Sequence, residues 1–209
     1  MQSVRRRGLT LGVVLLLLPA AARAEREFEI TPSAGVFFGG SFQDSATGRN
    51  VGADASASFG LILGLRESPR AHYELLYRFQ RTDLSWSVTP AGSPRPGVDI
   101  HYLQIGSSYE FPGKRFRPFV AAGVGLTALV PDGAGQDSST NFSLSLGGGV
   151  KIPFSDRAGL RLEGRGYLTV LPSNSQIFCV SSGGASCDVS VEGDTLGQFE
   201  LMAGVYFEI

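Results

Sequence analysis

The sequence predicts an all-β fold, an eight-stranded antiparallel up-and-down transmembrane β-barrel, and three observations carry that reading. No helical period appears after the first residues; instead, runs of about 10–14 residues alternate apolar and non-apolar side chains, as strands between two environments do. One set of alternate positions is rich in Leu, Phe, Tyr and Val, while the other mixes Gly and Ser with a few charges. Short and long connections alternate along the chain, the pattern of barrels with tight turns on one side and loops on the other.

The chain opens on a leader. Arg5, Arg6 and Arg7 precede an apolar run from Leu9 to Leu18, and Ala22-Arg23-Ala24 has the small-x-small form of a signal peptidase site. The run is about half the length a membrane-spanning helix needs, so it reads as a signal peptide rather than an anchor. Residues 1–24 are therefore expected to be removed, leaving 25–209 as one barrel domain. Loss of the four leader Arg takes the basic count from 18 to 14 against 19 acidic residues, and the net charge from −1 to −5. A mildly acidic chain without a basic stretch excludes a nucleic-acid partner.

The strands follow in order. They lie within Phe28 to Phe38, Ser56 to Arg66, Tyr73 to Gln80, Tyr102 to Phe111, Val120 to Thr127, Asn141 to Ile152, Ala158 to Val170 and Gln198 to Ile209. The last shows the alternation best: Phe199, Leu201, Ala203, Val205, Phe207 and Ile209 oppose Gln198, Glu200, Met202, Gly204, Tyr206 and Glu208. Short links fall near 67–70, 112–115 and 153–157, and long ones near 39–52, 84–97, 130–140 and 171–194. An even strand count puts both termini on the short-turn, periplasmic side.

Which face meets lipid is decided by volume. An eight-stranded barrel holds little more than its own side chains. Small residues with a few charges suit that interior, and the greasy face suits hydrocarbon. Tyr73, Tyr109, Phe111, Phe154 and Phe207 gather near one rim as an interfacial aromatic girdle. A first strand near Phe28 and a last at Ile209 must pair, because no backbone group can stay open in lipid.

Alternation points Arg66, Arg78, Lys151, Arg161 and Arg165 inward, with Glu29, Glu74, Glu110, Glu163, Glu200 and Glu208. Arg78, Glu163, Arg165 and Glu200 stand nearest mid-height and form the expected interior charge network. Unpaired buried charges are costly, so these groups read as a salt-bridge plug in preference to an ion path.

Cys179 and Cys187 bracket a Ser/Gly-rich segment and read as a local disulfide in an oxidising envelope. The histidines are His72 and His101. His101 points toward lipid near the outer rim, and Arg81 and Asp83 are expected at the same level. A basic cluster of Arg81 and His101 there would contact lipopolysaccharide phosphates. Gly147-Gly148-Gly149 lacks the Lys-Ser/Thr and helix of a phosphate loop and reads as close packing. No catalytic set, metal site or cofactor is expected.

The run Arg117-Pro118-Phe119-Val120-Ala121-Ala122-Gly123-Val124-Gly125 resembles a strand common in the small OmpA-like and OmpW-like outer-membrane barrels of the porin family. The terminal strand, with Gly204, Phe207 and Ile209, looks like an assembly-signal strand, though it ends in Ile where an aromatic is usual. The resemblance implies the bacterial outer membrane as location. It also implies outer-membrane lipid, lipopolysaccharide and the barrel-assembly machinery as partners. The expected role is structural or surface-interacting, with a ligand at the long loops. The runner-up is a narrow channel or OmpW-like route for small or apolar molecules. A lipid-modifying enzyme is disfavoured, because the deacylase type of barrel sets a His two residues before a Ser. Here His101 leads to Leu103, and His72 to Glu74.

Overall fold

The computed structural model describes residues 27–43, 50–86, 97–132, 138–171, 175–180, 186–191 and 195–209. The strands are β1 (Phe28–Phe38), β2 (Ser41–Gln43), β3 (Asn50–Ala53), β4 (Ser56–Arg66), β5 (Ala71–Trp86) and β6 (Gly97–Glu110). They continue with β7 (Arg117–Pro131), β8 (Ser139–Pro153), β9 (Ala158–Val170), β10 (Ser175–Val180), β11 (Ser186–Val191) and β12 (Thr195–Glu208). Eight of them, β1, β4 to β9 and β12, pair each with the next, and β12 returns to β1 to close the barrel. The expected signal peptide lies outside the described residues.

Alternation sets the polarity of the wall. Leu146 is 72% exposed and Ile105 64%, whereas Arg78 and Glu200 are both 0% exposed. Greasy side chains therefore face outward and ionic ones inward, the reverse of a soluble cup. Tyr73, Tyr109, Phe111, Phe154 and Phe207 are all exposed at the short-turn end, joined there by Phe28 and Phe116.

Five barrel strands run further toward the long-loop side than the alternation predicts, β12 among them by beginning at Thr195. β5 continues to Trp86, β6 begins at Gly97, β7 reaches Pro131 and β8 begins at Ser139. The hydrophobic contrast fades at Arg81, Asp83 and Asp99 because those outward positions pass above the hydrocarbon, yet the ladder keeps pairing there. The long connections also carry structure. β2 and β3 form a hairpin whose second strand pairs with the end of β5, and β10 pairs with β11. Cys179 stands opposite Cys187 in that last register; their side chains, and with them the expected disulfide, lie outside the described residues.

The closing seam has one irregularity. Phe28 and Ile209 exchange both backbone bonds, at 3.1 and 2.8 Å, so alternate residues of β1 turn their N–H toward β12. Pro32 falls at such a place and has no N–H to give. The β1–β12 ladder accordingly passes from Ile30↔Phe207 to Ser33↔Gly204, and the Val205 carbonyl opposite Pro32 loses its donor.

Glycine makes room for the interior. Gly60 is in register with Arg78, and a Cβ built on it would stand 2.7 Å from the Arg78 Cδ. Gly60→Val should therefore crowd the arginine and the neighbouring backbone, at about 1–3 kcal/mol, as overpacked cores do. Heat-modifiable gel mobility and urea unfolding in lipid vesicles should both report a less stable barrel.

Candidate functional site

The lumen is filled in tiers. At the periplasmic end the Lys151 ammonium donates to Glu29 Oε2 at 2.5 Å and to Glu110 Oε1 at 2.8 Å. Outside it Arg66 pairs with Glu27 and Glu208, and Arg117 lies 3.8 Å from Glu208. Further in, Arg161 donates to both oxygens of Glu74, at 2.9 and 3.3 Å, and through Nε to Glu163 at 2.9 Å. Arg165 donates to the other Glu163 oxygen at 2.7 Å and to Ser145 Oγ at 3.2 Å. The Ser145 hydroxyl donates to Gln104 Oε1 at 2.6 Å, and Gln104 Nε2 donates to Ser143 Oγ at 3.0 Å.

Above this tier Arg78 and Glu200 form a second knot. Arg78 donates to Glu200 through Nε at 2.9 Å and through Nη2, and to Ser33 and Ser58 at 2.6 and 3.0 Å. Ser58 and Tyr167 complete the carboxylate, at 2.6 and 2.9 Å. A layer of three rings covers it: Phe37 stacks on Tyr102 with centroids 5.6 Å apart, and Tyr167 is tilted against Tyr102 at 4.6 Å. Val98, Ile100, Leu129, Leu171 and Leu196 are buried beyond them together with Gln80, Thr82, Thr127, Asn141 and Thr169, so the long-loop end of the lumen mixes apolar and uncharged polar side chains.

Arg78, Glu163, Arg165 and Glu200 are all buried inside, as alternation requires, but they are not one network. Glu200 and Arg165 are register partners on β12 and β9. Even so, Arg165 turns to Glu163 and Glu74, while Glu200 is taken by Arg78 from β5. Glu74 and Arg161, placed inward by the same alternation but left out of the mid-height set, are the link between the lower and middle tiers. The aromatic layer was also missed. Phe37, Tyr102 and Tyr167 stand on three strands, and only the barrel's closure brings them together.

His72 lies inside the periplasmic end. Its Nε2 accepts from Arg66 at 3.4 Å, and its Nδ1 stands 3.7 Å from Glu110 Oε1. Donor atoms of Glu29, His72 and Glu110 lie within 4.8 Å of one another, a spacing that could hold a metal ion. The Lys151 ammonium already sits between the two carboxylates and serves as their cation. Strand pairing sets Ser108 opposite His72, with Glu74 on the next inward position of the same strand as His72.

The outer rim corrects an expectation. Arg81 and His101 both face outward, but they do not make a basic cluster. Arg81 is in register with Asp99 and binds it bidentately, at 2.7 and 2.8 Å. That hydrogen bond from Arg81 holds the Asp99 carboxyl below its ordinary range, and the pair carries no net charge. His101 is in register with Phe79, bonded to the Tyr77 hydroxyl at 3.0 Å, and Asp83 is in register with Gly97. Reading level from residue number alone placed Arg81 beside His101, whereas antiparallel pairing offsets them by one outward place.

The family model described as outer membrane protein beta-barrel domain matches residues 9–207. Among solved structures the chain is similar to Neisserial surface protein A, with a TM-score of 0.58, 16% identity, and coverage of 88% of this chain and 97% of that one. It is also similar to the outer membrane protein AlkL in lipid bilayers, with a TM-score of 0.52, 11% identity, and coverage of 100% and 97%. At these identities the likeness is one of fold. No curated protein matches the chain.

Two outcomes test this geometry. Arg78→Met should destabilise the barrel by about 3–5 kcal/mol, because Glu200 is left buried without its cation. Arg78→Met with Glu200→Gln should cost clearly less than the sum of the single changes in a urea-unfolding cycle. At the rim, an NMR titration should find Asp99 ionising below the ordinary aspartate range, and Arg81→Gln should return it. The pair's small contribution is then present above the unfolded aspartate pKa and lost as pH falls through the depressed value.

Proposed function

The chain belongs to the outer membrane protein beta-barrel domain family and resides in the bacterial outer membrane, and from that premise we propose that it is a closed, non-conducting scaffold. Its role is to hold surface loops over the membrane for a structural or surface-interaction task, with no catalysis of its own. The observation that supports this is the tiered lumen, in which Lys151, Arg161, Arg165 and Arg78 are each bonded to buried carboxylates and roofed by a layer of three packed rings. An ion entering such a lumen would have to break charge-assisted bonds at several depths in succession.

The loops are the natural place for a partner. Function carried on connections over a rigid scaffold is the general expectation. In this reading a Cys179–Cys187 bond braces the β10–β11 hairpin, and β12 is the strand that the barrel-assembly machinery takes up.

Planar-bilayer recording tests the plug directly. The purified protein should give negligible conductance, and Glu74→Ala with Arg161→Ala and Arg165→Ala should raise it in whatever fraction still folds. Steady open-channel currents from the unaltered protein would favour the narrow-channel alternative.

A further inference from the structure

The lipid-facing apolar surface is not equally tall all round the barrel. On β7 the outward series Val120, Ala122, Val124, Leu126, Ala128 and Val130 is apolar throughout. On β6 the series stops at Leu103, in register with Leu126, and His101 and Asp99 take the next places opposite Ala128 and Val130. β5 matches β6: Phe79 is followed by Arg81, in register with Asp99. Hydrocarbon does not cover an ion pair cheaply, so on this side the pair calls for polar headgroup contact at a level where β7 is still apolar.

The chemistry of this notch narrows what can fill it. A phosphate asks for surplus cation, and Arg81 is already neutralised by Asp99. Two further carboxylates converge beside it: a Cβ placed on Gly97 would stand 3.5 Å from Asp132 Oδ2 and 3.6 Å from Asp83 Oδ1. The surroundings are therefore anionic and repel phosphate. What remains is a row of side-by-side donors and acceptors, since Arg81 keeps N–H groups and Asp99 keeps lone pairs beyond their mutual bonds. Below them lie flat rings, His101 with centroids 5.1 Å from Phe79 and 6.2 Å from Tyr77. Sugar hydroxyls donate and accept at once, and the C–H faces of a sugar ring lie well against aromatic faces.

We propose that the outward face of β5 and β6, from Tyr77 and His101 to the Arg81–Asp99 pair, docks the sugar headgroup of an outer-leaflet glycolipid. The contact is to hydroxyls and ring faces and not to phosphate. It rests on the membrane orientation of the wall and stands whether or not the lumen conducts.

The test uses the full chain folded in zwitterionic detergent micelles with EDTA present. The probes are lipopolysaccharide, the same lipopolysaccharide after chemical dephosphorylation, and phosphatidylglycerol, with bound lipid read by native mass spectrometry. Binding of the dephosphorylated form should stay within about twofold of the intact one, and phosphatidylglycerol should bind far more weakly. His101→Leu, and separately Arg81→Gln with Asp99→Asn, should each lower lipopolysaccharide binding at least about fivefold, with folding checked by heat-modifiable mobility. Loss of binding on dephosphorylation would overturn the sugar contact in favour of phosphate. Equal retention of phosphatidylglycerol, or unchanged binding by both folded variants, would reduce the patch to ordinary annular contact.

Discussion

Hydrocarbon cannot satisfy a backbone N–H or C=O, and the rest of this structure follows from that constraint. A sheet obeys it only by closing, which is why the first and last barrel strands, far apart in sequence, lie side by side. Closure by eight strands fixes a narrow bore. The bore then dictates that inward positions be small, or carry a larger side chain only where another strand's side chain packs against it or neutralises it.

The interior is consequently more particular than the exterior. Outward positions over the hydrocarbon need only be apolar, and Leu, Phe, Val and Ala all occupy them. Inward positions are coupled: Gly60 leaves space for Arg78, which holds Glu200, which Tyr167 also contacts from the adjoining strand. A change at one member leaves another buried without its complement, and such penalties exceed those of surface ion pairs several-fold.

Much of this was legible in the sequence, because a period of two assigns every strand residue to a face without knowledge of its neighbours. That is how Arg78, Lys151, Arg161 and Arg165 could be placed inside together with Glu29, Glu74, Glu110, Glu163 and Glu200. The choice of partner was not legible. It depends on strand tilt and on how far a long side chain reaches across the bore, so Arg165 passes over Glu200 on the adjoining strand for Glu74 on β5. The rim failed for a related reason. Arg81 and His101 have the right facing, but antiparallel register gives Arg81 an aspartate, Asp99, that the alternation on one strand could not reveal.

Pro32 gives the wall a direction of failure. Every other junction between barrel strands carries a continuous ladder through the lower half of the wall, while the junction that completes the ring lacks a rung there. Under stress a hoop parts at its thinnest stave. The chain's two ends are thus the edges that separate first and rejoin last, with the remaining seven joints keeping their curvature as an open sheet.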